Sequence, residues 1–216
     1  MHTTSTFIRR HIYLLPEGKL FSTRLFLSYG KRAAIDQCLY RLVKAERIIR
    51  VTRGLFVKWS PKVSMPSLYE VAKAKAEAFG KEIYTCGRDA AKHLGLIQNT
   101  KLLDFIQNET NQPIFAVSGK TSSFQYGDKR ITLKGISAKY LKLGDSFAGK
   151  TIRGLLYLGK QINCAEVLDK ATLFINRENK QELRRSTKHM PAWMSDELVG
   201  KRPRWDININ LQLAPC

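Results

Sequence analysis

Ser22–Trp59, STRLFLSYGKRAAIDQCLYRLVKAERIIRVTRGLFVKW, is the stretch on which the reading of this chain turns. Its periodicity predicts a short helix, a tight turn at Gly30, a longer amphipathic helix and a two-stranded hairpin. That order is the order of a winged helix-turn-helix, whose second helix enters the major groove of DNA while the hairpin forms the wing. With Ile35 as origin and about 100° per residue, Cys38, Leu39, Leu42 and Val43 fall on its side and form a core-facing stripe. The opposite side collects Ala33, Asp36, Gln37, Tyr40, Arg41 and Lys44, with Lys31 and Arg32 at the helix entrance. Cations, an amide and an aromatic ring on one helical face suit contact with base edges and phosphates.

The hairpin is expected over Ile48 to Thr52 and Leu55 to Trp59, with Arg53-Gly54 between them. Branched and aromatic residues fill both arms, as strands prefer, and Gly54 supplies the positive φ that a tight turn requires. Arg53 at the tip, and Arg50 and Lys58 on the arms, stand where a wing meets a DNA backbone or minor groove. A two-residue loop would set Ile49, Val51 and Phe56 on one face and Ile48, Leu55, Val57 and Trp59 on the other. Both faces would be apolar, so an element from the second half of the chain is expected to cover one of them.

Charge points the same way. The 216 residues carry a net +19 with 44% hydrophobic content, which describes a folded chain suited to polyanions, nucleic acid before acidic membrane. Residues 1–62 hold 13 Lys/Arg against 3 Asp/Glu, so the excess is densest where the DNA-binding pattern lies. No apolar run approaches the roughly 20 residues needed to span a bilayer, and MHTTSTFIRRHIYLL lacks the pattern of a signal peptide. Cys38, Cys86, Cys164 and Cys216 show no CxxC spacing, which disfavours a metal site or a disulfide framework and fits a reducing compartment. The expected location is the cytoplasm, in association with the nucleoid.

Outward from the central stretch, residues 5–14 read as a first helix with Phe7, Ile8, Ile12 and Leu15 as its buried stripe, closed by Pro16-Glu17-Gly18. Ser22 or Thr23 is placed to cap the next helix, with backbone N–H groups that also suit a phosphate. Ser60 to Pro66 reads as a linker between a domain over 1–62 and another over 67–216. The second opens with a capping box, Ser67-Leu68-Tyr69-Glu70, and a helix stopped at Gly80. A strand over Ile83–Thr85 and a helix over RDAAKHL follow. Beyond them come strands in IFAVSG, SSFQYG and KRITLKG, a helix over TIRGLLYL, and mostly helix from Glu182 to Leu198. Short strands mixed with helices, without regular βαβ alternation, predict an α+β fold for this half. The fold class expected for the whole is α+β, an N-terminal winged helix-turn-helix followed by a mixed α+β domain.

One pattern points to different chemistry. Gly144 to Thr151, GDSFAGKT, fits the phosphate-binding loop GxxxxGK[ST], in which backbone N–H groups and a lysine, here Lys150, hold phosphates. Against it, KYLKL is a charged and weak preceding strand where a parallel sheet needs an apolar one. TLFIN at 172–176 ends in Asn176, not in the aspartate that would hold magnesium. The histidines at 2, 11, 93 and 189 fall in no nucleophile or metal spacing, and the carboxylates form no convincing pair. KRPRW at 201–205 reads as a solvated basic run.

A family resemblance enters with these residues in view. Gly18, the RAAIDQ.L.RLVK core from Arg32 to Lys44 and the R.TRGLF hairpin resemble the N-terminal domain of AbiEi-type antitoxins of type IV toxin–antitoxin systems. CGRDAAKHLGL, the hairpin around YGDKRITLK and the helix RGLLYLGK are similar to that group's second domain. The resemblance implies a repressor of its own operon, paired with a nucleotidyltransferase-type toxin that it antagonises without a stable complex. The high basicity and Lys150 depart from that family's pattern.

The function expected from the sequence is therefore sequence-specific binding of double-stranded operator DNA, bearing inverted repeats, by a transcriptional repressor without cofactor, metal or catalytic residues. The DNA-binding set is Ser22, Thr23, Lys31, Arg32, Ala33, Gln37, Tyr40, Arg41, Lys44, Arg50 and Arg53. Within it, Gln37 and Arg41 suit adenine and guanine, and the other cations mainly neutralise phosphates. The alternatives are a nucleotide-dependent enzyme using 144–151 and a basic accessory protein that binds nucleic acid without sequence preference.

Overall fold

The computed structural model describes residues 3–97, 112–159 and 177–199, and these form a mixed α+β structure with two sheets. The chain divides into two compact units, one of residues 1–83 with 121–133, the other of residues 84–120 with 134–216.

The first unit begins with α1 (Thr4–Leu14), whose N-terminus is capped by the Thr3 side chain accepting from the Thr6 N–H. Its stripe buries Ile8 and Ile12, whereas Phe7 is 44% exposed. β1 (Leu20–Ser22) follows, then a short 3-10 helix (Thr23–Tyr29), α2 (Arg32–Lys44), β2 (Ile48–Thr52) and β3 (Leu55–Lys58). The expected α-helix after Ser22 is wound as 3-10, and the Ser22 side chain makes no cap hydrogen bond. Both ends of that segment are held. The Thr23 N–H donates to the Gly54 carbonyl at 3.1 Å, and the Tyr29 carbonyl accepts from the Thr4 hydroxyl at 2.9 Å. A 3-10 turn rises about 2.0 Å per residue against 1.5 Å in an α-helix, so it spans a fixed gap with fewer residues.

β1, β3 and β2 pair antiparallel in that order. The hairpin turn at Arg53-Gly54 has Gly54 at φ +75°, as a side-chain-free residue permits. The strand register differs from the two-residue-loop expectation. Arg50 pairs with Phe56, Ile49 with Val57 and Ile48 with Lys58, and the ladder slips between Arg50 and Thr52. The extra residue, Val51, is a bulge, and one residue of slip exchanges the faces. Phe56 therefore lies on the face of Ile48, in one core with Phe21, Phe26, Ile35 and Leu39, and not with Ile49 and Val51. Val51, Leu55 and Val57 are also buried, so the sheet is covered on both faces.

The cover comes from α3 (Leu68–Glu77), which packs on β1, and from a later hairpin whose β6 (Ser122–Tyr126) packs beside β2. β6 pairs with β7 (Lys129–Ile136) through the Gly127-Asp128 turn. α3 opens with the expected capping box, Ser67 and Glu70 each accepting from the other's backbone N–H. The Ser67 backbone N–H, and after it the Ser67 hydroxyl, donate to the Glu70 carboxylate and hold it below its ordinary range. Ser60–Pro66 is no free linker. Val63 fits against Gly18, and the Pro66 carbonyl accepts from the Tyr126 hydroxyl at 2.6 Å. The boundary expected at 62–67 thus falls inside the first unit.

The second unit takes in β5 (Ile114–Ser118) and all but the first residue of β4 (Ile83–Thr85). Its helices are α4 (Gly87–His93), α5 (Ala138–Leu141), α6 (Phe147–Leu158), α7 (Arg177–Arg185) and α8 (Ala192–Val199). α4 and α6 approach closely because small residues meet there. A Cβ at Gly87 would overlap the Arg153 carbonyl oxygen, and one at Gly154 would lie 3.2 Å from the Ala91 nitrogen. Among the described residues the largest fully buried side chain is a charged one, Arg153. Its Nε donates to the Thr85 carbonyl at 2.9 Å, Nη1 to the Gly144 carbonyl at 2.7 Å and Nη2 to the Asp145 carboxylate. Asp145 in turn accepts from the Thr85 backbone N–H and hydroxyl, both at 3.0 Å. Burial holds the guanidinium pKa below its ordinary value, against the opposing effect of the Asp145 charge.

Arg153→Ala strips the guanidinium from three acceptors, one of them the part-exposed Asp145 carboxylate, and leaves a void, and is expected to cost about 2–5 kcal/mol in urea unfolding. Arg153→Lys is expected to destabilise as well, because one ammonium cannot reach three acceptors arranged for a planar fork.

Candidate nucleic-acid interface

α2 is docked by the stripe its sequence spells out. Ile35, Cys38, Leu39 and Leu42 are buried and Val43 is half-buried. Lys31, Arg32, Ala33, Asp36, Gln37, Tyr40, Arg41 and Lys44 are all exposed. Lys31 is the N-cap residue but makes no side-chain cap, and the first turn has no acid. Two cations at the positive end of a helix oppose its dipole and do not serve its stability. Arg32 is offset locally, its Nε lying 2.9 Å from the Asp36 carboxylate in an i,i+4 pair that is about half-exposed. Farther along, the Lys44 ammonium lies 5.1 Å from the centre of the Tyr40 ring, itself 58% exposed. An exposed tyrosine under a cation, beside an amide and an arginine, is a surface that can stack on or hydrogen-bond to bases.

Arg50 and Arg53 are exposed on the β2–β3 hairpin. The remaining hairpin cation is committed elsewhere. The Lys58 ammonium donates to the Tyr13 and Leu15 carbonyls at 2.7 and 2.6 Å, at the C-terminal end of α1, where a cation complements the helix dipole. Thr23 is also spent on structure. It is 3% exposed, and both its backbone N–H and its hydroxyl donate to the Gly54 carbonyl. It therefore has no donor left for a phosphate, and the half-buried Ser22 beside it caps nothing.

Further cations lie outside the set expected from the sequence. Arg9 and Arg10 are exposed on α1, and Arg24 is exposed with its guanidinium 4.4 Å from the Phe79 ring centre. Lys75 of α3 reaches the hairpin tip and donates to the Arg53 carbonyl. The first three could have been found as the polar remainder of the amphipathic period. Nothing local in KAKAE marks Lys75, whose position depends on tertiary packing. His11, by contrast, is part of an aromatic cluster, with Nδ1 2.8 Å from the Tyr29 hydroxyl and its ring edge-on to Phe26.

The pattern at 144–151 does not take the form of a phosphate cradle. The segment before it, Ala138–Leu141, is helical, so no strand feeds the loop. Gly149, Lys150 and Thr151 lie inside α6, which starts at Phe147. The N–H of Gly149 donates to the Ser146 hydroxyl and that of Ala148 to the Glu182 carboxylate, at 3.1 and 3.0 Å. A carboxylate already occupies the helix end that would face a phosphate. A Cβ at Gly149 would overlap the Gly144 carbonyl oxygen, so packing within the turn accounts for that glycine. The segment 172–176, the run at 201–205, His2, Cys164 and Cys216 lie outside the described residues. Among those described, no three His, Cys, Asp or Glu side chains gather as metal ligands, and no helix is long and apolar enough to cross a membrane. Cys86 is buried beside Asp89, and burial foremost pushes its thiol up to about 11.

Exposed and structural residues of this surface should separate by thermal melting. Gln37→Ala, Tyr40→Ala and Arg41→Ala are expected to stay within about 0.5 kcal/mol of the parent. Thr23→Ala removes a partly buried hydrogen bond and is expected to cost about 1 kcal/mol.

Residues 7–183 match a family described as "Family of unknown function (DUF6088)". No curated protein and no solved structure matches the chain.

Proposed function

The chain belongs to that family of unknown function, and from the surface of its first unit we propose that it is a double-stranded-DNA-binding transcriptional repressor of winged helix-turn-helix type. The observation that carries this reading is α2, buried along one stripe and presenting Gln37, Tyr40, Arg41 and Lys44 to solvent on the other. The helix that precedes it and the cationic hairpin that follows stand in the winged-helix order. In this reading α2 lies in the major groove, where Gln37 and Arg41 read bases, while Lys31, Lys44, Arg50 and Arg53 neutralise phosphates. Arg32 gains a phosphate only by loosening its pair with Asp36, so its contribution is smaller than its charge implies. Ser22 and Thr23 drop out of the set. Operation as a cytoplasmic, nucleoid-associated antitoxin that represses its own operon and opposes a nucleotidyltransferase-type toxin extends this proposal. It rests on the sequence resemblance alone.

Binding of the full chain to a duplex carrying its own promoter is the direct test. With about six phosphates neutralised, log affinity is expected to fall with log salt at a slope near −5. Gln37→Ala and Arg41→Ala are expected to cost about 1–3 kcal/mol on the promoter and to relax sequence preference, while Arg53→Ala weakens promoter and random duplex alike. Equal losses on both duplexes for all three variants would favour a basic accessory protein without sequence preference. Co-expression with a neighbouring nucleotidyltransferase reading frame tests the antitoxin role, which predicts rescue of growth.

A further inference from the structure

The tip of the β2–β3 hairpin is a place where positive charge collects without relief. Lys75 comes to it from α3, its ammonium donating to the Arg53 carbonyl and lying 5.6 Å from the centre of the Phe124 ring on β6. Arg50 and Arg53 both act on it as like charges. The acids of α3 are already engaged. Glu70 accepts from the Ser67 backbone N–H and hydroxyl at 2.7 and 2.8 Å, and Glu77 pairs with Lys73. Among the described residues no carboxylate pairs with Lys75, Arg50 or Arg53. Burial first, then Arg53 and Arg50, hold the Lys75 pKa below its ordinary value.

A flexible lysine on an open surface would turn away from two arginines. This one is kept near them by the Arg53 carbonyl and the Phe124 ring, and Phe124 is itself fixed by its hairpin. Phe124 pairs with the fully buried Ile131, and the next-but-one residue, Tyr126, is tied to the Pro66 carbonyl. With Lys75 held at the tip of the hairpin that carries the exposed Arg50 and Arg53, three cations gather about one turn, a grouping that suits a compact anion with several acceptor oxygens.

We propose that Lys75, Arg50 and Arg53 form a clamp for a backbone phosphate of duplex DNA, so that the DNA-contacting surface runs beyond residues 1–62 onto α3. The inference rests on the repressor reading above and adds to it a contact from an element with no place in a minimal winged helix. Lys75 contacts no base in this arrangement. It sets how the hairpin sits on the DNA backbone and contributes equally on any sequence.

The test uses the full chain, a duplex carrying its own promoter and a random duplex of equal length, each titrated across a salt series. Lys75→Gln is expected to weaken binding to both duplexes by about fivefold and to make the salt slope shallower by about one unit. Lys75→Arg is expected to restore most of the affinity. Lys73→Gln removes the same charge from the same helix and is expected to leave the slope unchanged. Melting temperatures confirm that each variant is folded; Lys75→Gln is expected to melt close to the parent, since the relieved repulsion offsets the lost carbonyl and ring contacts. An unchanged slope in Lys75→Gln, or a loss confined to the promoter duplex, overturns the clamp while leaving the repressor reading intact. Failure of the parent chain to bind either duplex overturns both.

Discussion

A thin sheet with apolar side chains on both faces must be covered on both, and the first unit is built to meet that requirement. On one face of β1-β3-β2 lie Phe21, Ile48 and Phe56, against the stripe of α2 and the aromatic cluster under α1. The other face holds Val57 and Leu55, which α3 and the 121–133 hairpin close off. Each fully buried side chain of this kind is worth about 1.5–3 kcal/mol over its exposed state. The outer cover is therefore no appendage. The hydrogen bonds around the sheet serve the same end: Thr23 to Gly54 fastens the turn, Lys58 closes α1, and Tyr126 ties the later hairpin to Pro66.

The parts of this arrangement that follow from chain period were legible in the sequence. The α2 stripe, its polar face, the Ser67–Glu70 capping box and the Gly127-Asp128 hairpin depend on neighbours within a few residues, and all appear as read. What escaped depends on one-residue geometry or on distant partners. The bulge at Val51 reverses the face of Phe56, and no local composition marks it. Thr23 looks like a helix cap until its donors are seen on Gly54. Lys58 looks like a phosphate contact until its ammonium is found on α1. The surface was thus readable as a face, while the assignment of individual residues to ligand or to structure required the fold. The apolar excess of the hairpin did signal that something covered it, though not what.

The second unit shows the same lesson in reverse, where a ligand-like motif proves to be internal packing. Gly144 to Thr151 has the spelling of a nucleotide loop, but the spelling is satisfied from within. The Gly144 carbonyl accepts from Arg153, Ser146 caps α6, and Glu182 takes the helix-end N–H of Ala148. Arg153 itself is the stranger element, a fully buried guanidinium held by two backbone carbonyls and a carboxylate. Its three acceptors lie near Thr85 and in the Gly144-Asp145 turn, so it joins segments more than sixty residues apart. An ion pair with its cation buried and its carboxylate part-exposed is weak grounds for extra stability, since desolvation of the guanidinium offsets much of the attraction. It does penalise any packing in which those segments fail to meet.

The first unit is discontinuous in the chain, and that has a kinetic side. Residues 1–83 are made in one run, whereas residues 121–133, which complete the cover of the sheet, are made later. At a synthesis rate of 5–20 residues per second, the 50 residues from 83 to 133 take about 3–10 s. For that interval a nascent chain holds a three-stranded sheet whose free edge, β2, lacks its later neighbour β6. Exposed apolar strand edges are where chains associate wrongly. Arg50 and Arg53, on and beside that edge, place like charges where another strand would dock. Charges so placed are of the kind that discourage wrong pairing at an open edge.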